Sequence, residues 1–126
     1  MKTLEEAQDI ISKASSDGKL VVIDFTASWC GPCRLIAPFY AELSDSEDVI
    51  NLGVVFLKVD VDENADTAQE YNVSAMPTFI FVKNGEVVDR LMGANAARLK
   101  EMVLEYAWDE GSRQVFLVEA IIARQE

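Results

Sequence analysis

The chain has 126 residues, half of them apolar, which suits one globular domain with a real core and argues against disorder. It carries 11 basic and 22 acidic residues, a formal net charge of −11, which disfavours nucleic acid and anionic membranes as partners. No apolar run is long enough to span a bilayer, and the acidic opening with Glu5, Glu6 and Asp9 lacks the apolar core of a signal or transit peptide.

Thr3-Leu4-Glu5-Glu6 fits a capping box, with Thr3 as N-cap and Glu6 reaching back. Leu4, Ala7, Ile10, Ile11 and Ala14 then form a helical face, and Asp17-Gly18 stops it. The apolar run Leu20 to Phe25 is expected to be a buried strand, interrupted only by Asp24. An ionised carboxylate there costs several kcal/mol unless paired, so its pKa should rise. Two roles are open to Asp24: a salt bridge, or a buried proton acceptor.

Directly after this strand comes Trp29-Cys30-Gly31-Pro32-Cys33, which holds the only two cysteines of the chain. Leu35, Ile36, Phe39, Tyr40 and Leu43 follow at helical spacing, so the pair sits where a strand ends and a helix begins. Two intervening residues at a first helical turn bring both sulfurs within bonding reach. Unpaired N–H groups and the macrodipole at that terminus favour a thiolate on Cys30. Pro32 has no N–H to lose and fits the first turn. Gly31 and Pro32 leave the approach of a docking disulfide open, and Trp29 adds a flat wall. Cys30 is thus the expected exposed nucleophile and Cys33 the shielded resolving thiol. Zinc wants about four ligands, and two Cys with no His cannot close such a site, so no metal is expected. A structural disulfide across two residues would close almost no loop. Redox chemistry is the expectation, in a reducing, cytoplasmic compartment, because both cysteines fall in one motif.

The helix after Cys33 should kink at Pro38, and Asp45 to Gly53 reads as a long acidic loop. Val54 to Val61 is expected to be a second buried strand. Its Lys58 either pairs with Asp24 on a neighbouring strand or snorkels to the rim. Asn64 to Tyr71 is a short helix with Asn72 as a left-handed stop. Pro77 opens the strand Thr78 to Val82. Asn84-Gly85 marks a hairpin returning through Glu86 to Met92. Gly93 breaks that strand, and Asn95 caps a last helix carrying Leu99, Met102, Val103 and Tyr106. The order is helix, strand, helix, strand, helix, hairpin, helix, an α/β arrangement. Residues 1–107 form the expected domain. Residues 108–126 stand apart as an apolar C-terminal extension, with a turn at 109–112 and a run over 114–123 that fits a strand or a helical face equally.

VIDFTASWCGPC (Val22 to Cys33) resembles the thioredoxin family, as do FLKVDVDENAD (Phe56 to Asp66), AMPTFIFVKNGE (Ala75 to Glu86) and MGAN (Met92 to Asn95). The resemblance covers roughly residues 3 to 107. It implies a thioredoxin fold, a central mixed sheet of four to five strands with helices on both faces. It implies a protein-disulfide reductase and electron carrier in cell redox homeostasis, with no bound cofactor, recycled by thioredoxin reductase using NADPH. By matching motif, Cys30 would attack substrate disulfides and Cys33 would resolve them, the two forming the redox disulfide. Asp24 would be the buried acid, Lys58 its neighbour, and Pro77 a cis-proline opposite the dithiol. Trp29, Gly31, Pro32, Val61, Ala75, Met76, Gly93 and Ala94 would line the substrate groove beside them. The resemblance leaves three departures: little room for a leading strand before Thr3, the long 45–53 loop, and the tail, which could pack on an exposed sheet edge or its flank, or associate with a neighbour in an otherwise monomeric protein. A binding module of a larger assembly with incidental redox activity is the competing class. An oxidase or isomerase of secreted proteins is a third, disfavoured by Gly31-Pro32 where a histidine would stabilise the thiolate.

Overall fold

A computed structural model describes residues 3–107. Both expectations for residues 108–126, a separate extension and its packing, lie outside the described residues. Thr3 starts the first helix, α1 (Leu4–Ser16), by accepting the Glu6 N–H on its hydroxyl at 3.1 Å. Then come β1 (Val21–Thr26), α2 (Gly31–Asp45), α3 (Glu47–Asn51), β2 (Val55–Asp60), α4 (Ala65–Glu70), β3 (Thr78–Lys83), β4 (Glu86–Met92) and α5 (Ala96–Ala107). The strands form one sheet in the order β2-β1-β3-β4. β1 and β2 are parallel, while β1–β3 and β3–β4 are antiparallel, so the sheet is mixed.

Alternation along the strands divides the core in two. Val22, Phe79 and Phe81 face one side, where α2, α3 and α5 add Ile36, Leu43, Val49, Leu99 and Met102. Val21, Ile23, Phe25, Ile80 and Val82 face the other, under Ala7, Ile11 and Ala14 of α1 and Ala68 of α4. Helices therefore cover both faces, as a sheet buried on two sides requires.

The local signals mostly set the junctions. Asn72 has φ 55° and ends α4, and Asn84 and Gly85, with φ 53° and 81°, make the hairpin. Asn64 and Asn95 cap α4 and α5 through their side-chain oxygens. α2 continues through Pro38 to Asp45 as a single helix.

Two expectations need correction. The segment Asp45 to Gly53 is not an extended loop, because Glu47 to Asn51 form α3. Acidic Glu47 and Asp48 suit its first turn, and Val49, only 1% exposed, anchors it in the core. Nor is Val54 to Val61 a fully buried strand. β2 is an edge strand, only Val59 of it is buried, and no strand precedes α1 among the described residues. Its apolar run reads as buried because both of its faces touch core residues, although among the described residues it pairs with β1 alone.

Candidate active site

The N-terminal ends of α2 and β3 bring the site together. Cys30 is the N-cap of α2, with extended backbone, and Gly31 and Pro32 open the first turn. The Cys33 N–H points at Cys30 Sγ across 3.2 Å. A cap N–H and the helix dipole thus converge on that one sulfur, which favours negative charge there. The two cysteines are disulfide-bonded, with Cα atoms 5.3 Å apart. In this oxidised state Cys30 and Cys33 are 5% and 3% exposed, so exposure does not yet separate them. The asymmetry expected between the two is electrostatic here, because the first-turn N–H of Cys33 reaches Cys30 Sγ at the positive end of α2.

Ala27 and both cysteines form a small apolar cluster against Val61 and Met76. The Met76–Pro77 bond is cis. The Met76 carbonyl oxygen lies 3.6 Å from Cys30 Sγ, so the Met76–Pro77 segment stands opposite the disulfide. Pro77 is buried, and its carbonyl accepts the Gly93 N–H at 2.9 Å, tying the end of β4 to the same rim. Ala75 accepts the Thr78 hydroxyl at 2.6 Å. Gly93 and Ala94 are exposed beside it, Pro32 is exposed, and space is open above Gly31.

Trp29 is 63% exposed, and its Nε1–H donates to Asp62 Oδ2 at 2.9 Å. Asp62 is itself placed by a turn in which Asp60 Oδ1 accepts the Asp62 N–H at 2.9 Å. Asp62 was missed in the sequence. One acid among Asp60, Asp62 and Glu63 gives no local signal that it meets an indole 33 positions earlier.

Asp24 and Lys58 are direct partners across the parallel β1–β2 pair. They nevertheless make no direct ion pair among the described residues. Asp24 is 2% exposed and its Oδ1 has no hydrogen-bond partner, while Lys58 is exposed. Lys58 thus reaches the rim and acts on Asp24 through space. Burial pushes the Asp24 carboxyl from 3.8 up to about 6, against an opposing pull from Lys58. Lys58 and Cys33 line one open cleft of about 180 Å³, together with Thr26, Arg34 and Asp60. Replacing Lys58→Met should therefore move the Asp24 midpoint above 6, because the cation that favours the carboxylate is gone. A carbon-13 titration of the carboxyl by NMR measures it, and an unmoved or lowered midpoint contradicts the coupling.

Tyr40 was legible only as an apolar-face residue. Its hydroxyl donates to the Leu57 carbonyl at 2.7 Å, with the Val22 carbonyl at 3.1 Å within reach of the same proton. That bond ties α2 to the two strands carrying Asp24 and Lys58. Burial, and then the Asp24 charge, hold the Tyr40 hydroxyl well above its ordinary pKa.

The thioredoxin family model matches residues 2–105. The chain belongs to the thioredoxin family. It is 50% identical over 96 residues to a thioredoxin H-type of Oryza sativa subsp. indica, spanning 76% of this chain and 75% of that protein. It is 49% identical over 96 residues to thioredoxin H4 of Arabidopsis thaliana, spanning 76% and 78%. The solved thioredoxin of Fasciola hepatica superposes with a TM-score of 0.76 at 43% identity, covering 83% of this chain and 95% of that one. Thioredoxins are disulfide oxidoreductases, and the bonded Cys30–Cys33 pair supports dithiol–disulfide exchange in this one. The mixed four-stranded sheet with helices on both faces is the thioredoxin fold. No cluster of metal-ligating side chains occurs among the described residues, and no described helix is long and apolar enough to cross a membrane.

Proposed function

We infer that this thioredoxin reduces protein disulfides through Cys30 and Cys33 in two exchange steps. The Cys30 thiolate attacks one substrate sulfur, breaking the substrate S–S bond and releasing the first substrate thiol. Cys33, deprotonated, then attacks Cys30 Sγ, which frees the second substrate thiol and closes the Cys30–Cys33 disulfide. Two electrons and two protons pass to the substrate. The Cys33 N–H aimed at Cys30 Sγ is the observation that supports this division of labour. Asp24 takes the Cys33 proton. Its support is a burial-raised pKa near neutrality and a carboxylate oxygen without a partner. Lys58 keeps that pKa from rising further.

Trp29, Gly31, Pro32, Val61, Ala75, Met76, Pro77, Gly93 and Ala94 form the groove in which the substrate chain lies. Its support is their placement around the disulfide rim, with the Met76 carbonyl turned towards Cys30. Residues 1–107 act as the thioredoxin domain and residues 108–126 as an extension to it. The protein works as a monomeric electron carrier of the cytoplasm in redox homeostasis, without a bound cofactor. Thioredoxin reductase supplies its electrons from NADPH. In an insulin-reduction assay coupled to NADPH and a thioredoxin reductase, the protein should consume NADPH with saturating dependence on its own concentration. Reduction by dithiothreitol with no turnover by the reductase would overturn the recycling route.

A further inference from the structure

Away from the dithiol, α2, α3 and α5 leave an apolar groove of about 210 Å³ between them. Phe39, Leu43, Val49 and Leu104 line it, together with the polar Glu42, Ser46, Asp48 and Lys100. Ile50, on the adjacent α3, is 57% exposed. The groove runs beside the last two turns of α5, and the described chain ends at Ala107 on that helix. Leu104 lies three residues before this exit, about 4.5 Å along the axis. The next residues are the turn-forming Asp109-Glu110-Gly111-Ser112 and then the apolar run from Gln114 to Ala123.

We propose that residues 113–124 of the same chain dock into this groove. Three arguments favour that occupant. Asp109-Glu110-Gly111-Ser112 is a turn-forming sequence, and a return there would bring residues 117 and 118 opposite Leu104, a geometry that short connections between helices provide. Docked as a helix, Val115, Val118 and Ile122 would share one face that matches the apolar floor, and Glu119 beside that face would come within a turn of Lys100. The five-residue connector 108–112 holds the segment at an effective concentration of millimolar order, so its own groove outcompetes a second copy at micromolar protein. The open edge of β2 is the rival seat. It presents backbone groups and the charge of Lys58 rather than an apolar trough. Docking in the groove extends the core around α3, a helix of 5 residues that is too short to be stable alone. It leaves disulfide exchange untouched, because the groove borders the second half of α2 and not Cys33 at its start.

The test compares the full chain with its Val118→Asp and Ile122→Asp variants by hydrogen exchange, melting and light scattering. Amides of α3 and of the Lys100–Leu104 stretch should exchange at least tenfold faster in both variants. Melting should fall by about 4 °C or more, with insulin reduction unchanged and the protein monomeric throughout. β1 and β3 serve as the internal reference. If they loosen equally, Val118→Thr replaces the harsher change and the same local criterion applies. Unchanged exchange at α3 and α5 overturns the proposal. So does faster exchange confined to β2, which places the segment on the sheet edge, or a parent dimer that the variants dissociate, which makes the occupant a second copy.

Discussion

Cys30→Ser should abolish disulfide reduction, by at least about 10³-fold, whereas Cys33→Ser should accumulate a mixed disulfide on Cys30. The asymmetry follows from the cap geometry. Cys30 Sγ receives the Cys33 N–H at 3.2 Å and sits at the positive end of α2. It is therefore the sulfur stabilised as an anion, and the thiolate is the attacking species. Removing it removes the first bond-forming step, and loss of a covalent nucleophile costs several orders of magnitude. Removing Cys33 leaves that step intact and blocks only the release, so the intermediate persists. Sub-stoichiometric iodoacetamide on the reduced protein, mapped by mass spectrometry, should label Cys30 first. Preferential labelling of Cys33, or mixed disulfides trapped equally by both variants, reverses the assignment.

Asp24→Asn should make the protein more stable at pH 8 and slower at the same pH. Asp24 has its folded-state pKa raised from 3.8 to about 6. In that window the native state holds the proton more tightly than the unfolded chain. Stability therefore falls as pH climbs from about 4 to about 6, and the penalty is constant above. A shift of that size corresponds to about 3 kcal/mol, an upper figure for the gain when the charge is removed. The gain should vanish below pH 4, where the carboxyl is neutral in both states. Urea denaturation across this range measures it. Turnover should drop by up to about 10²-fold, because an amide cannot take the Cys33 proton. The loss should shrink at high pH, where hydroxide deprotonates the thiol without help. A variant that is less stable at pH 8 and fully active would leave Asp24 a purely structural role.

Local chemistry was what the sequence displayed best. Thr3 and Asn95 act on backbone groups three residues away, and Asn72, Asn84 and Gly85 on their own φ angles, so neighbouring residues suffice to reveal them. The dithiol was legible for the same reason, since a strand end, two cysteines and a helix start are contiguous. α3 was obscured because a helix of 5 residues owes its order to Val49 in the core, and periodicity over one turn cannot announce that.

Pairings between distant segments were a different matter. The sequence by itself determined the alternation of helices and strands, the strand-to-helix seat of Cys30 and Cys33, and a carboxylate at position 24 in an apolar run. Only the tertiary structure decided that β2 lies at the sheet's edge, that Asp24 and Lys58 face each other without an ion pair, and that Asp62 holds Trp29. The physical reason is range. Propensity, capping and turn geometry act over a few residues, whereas strand order and the meeting of an indole with a carboxylate depend on how the whole core closes. Lys58 illustrates the difference. Its apolar neighbours left a pair with Asp24 and a snorkel to the rim equally open, and Lys58 is exposed, so the ammonium stays in water, where solvation outweighs a contact with Asp24.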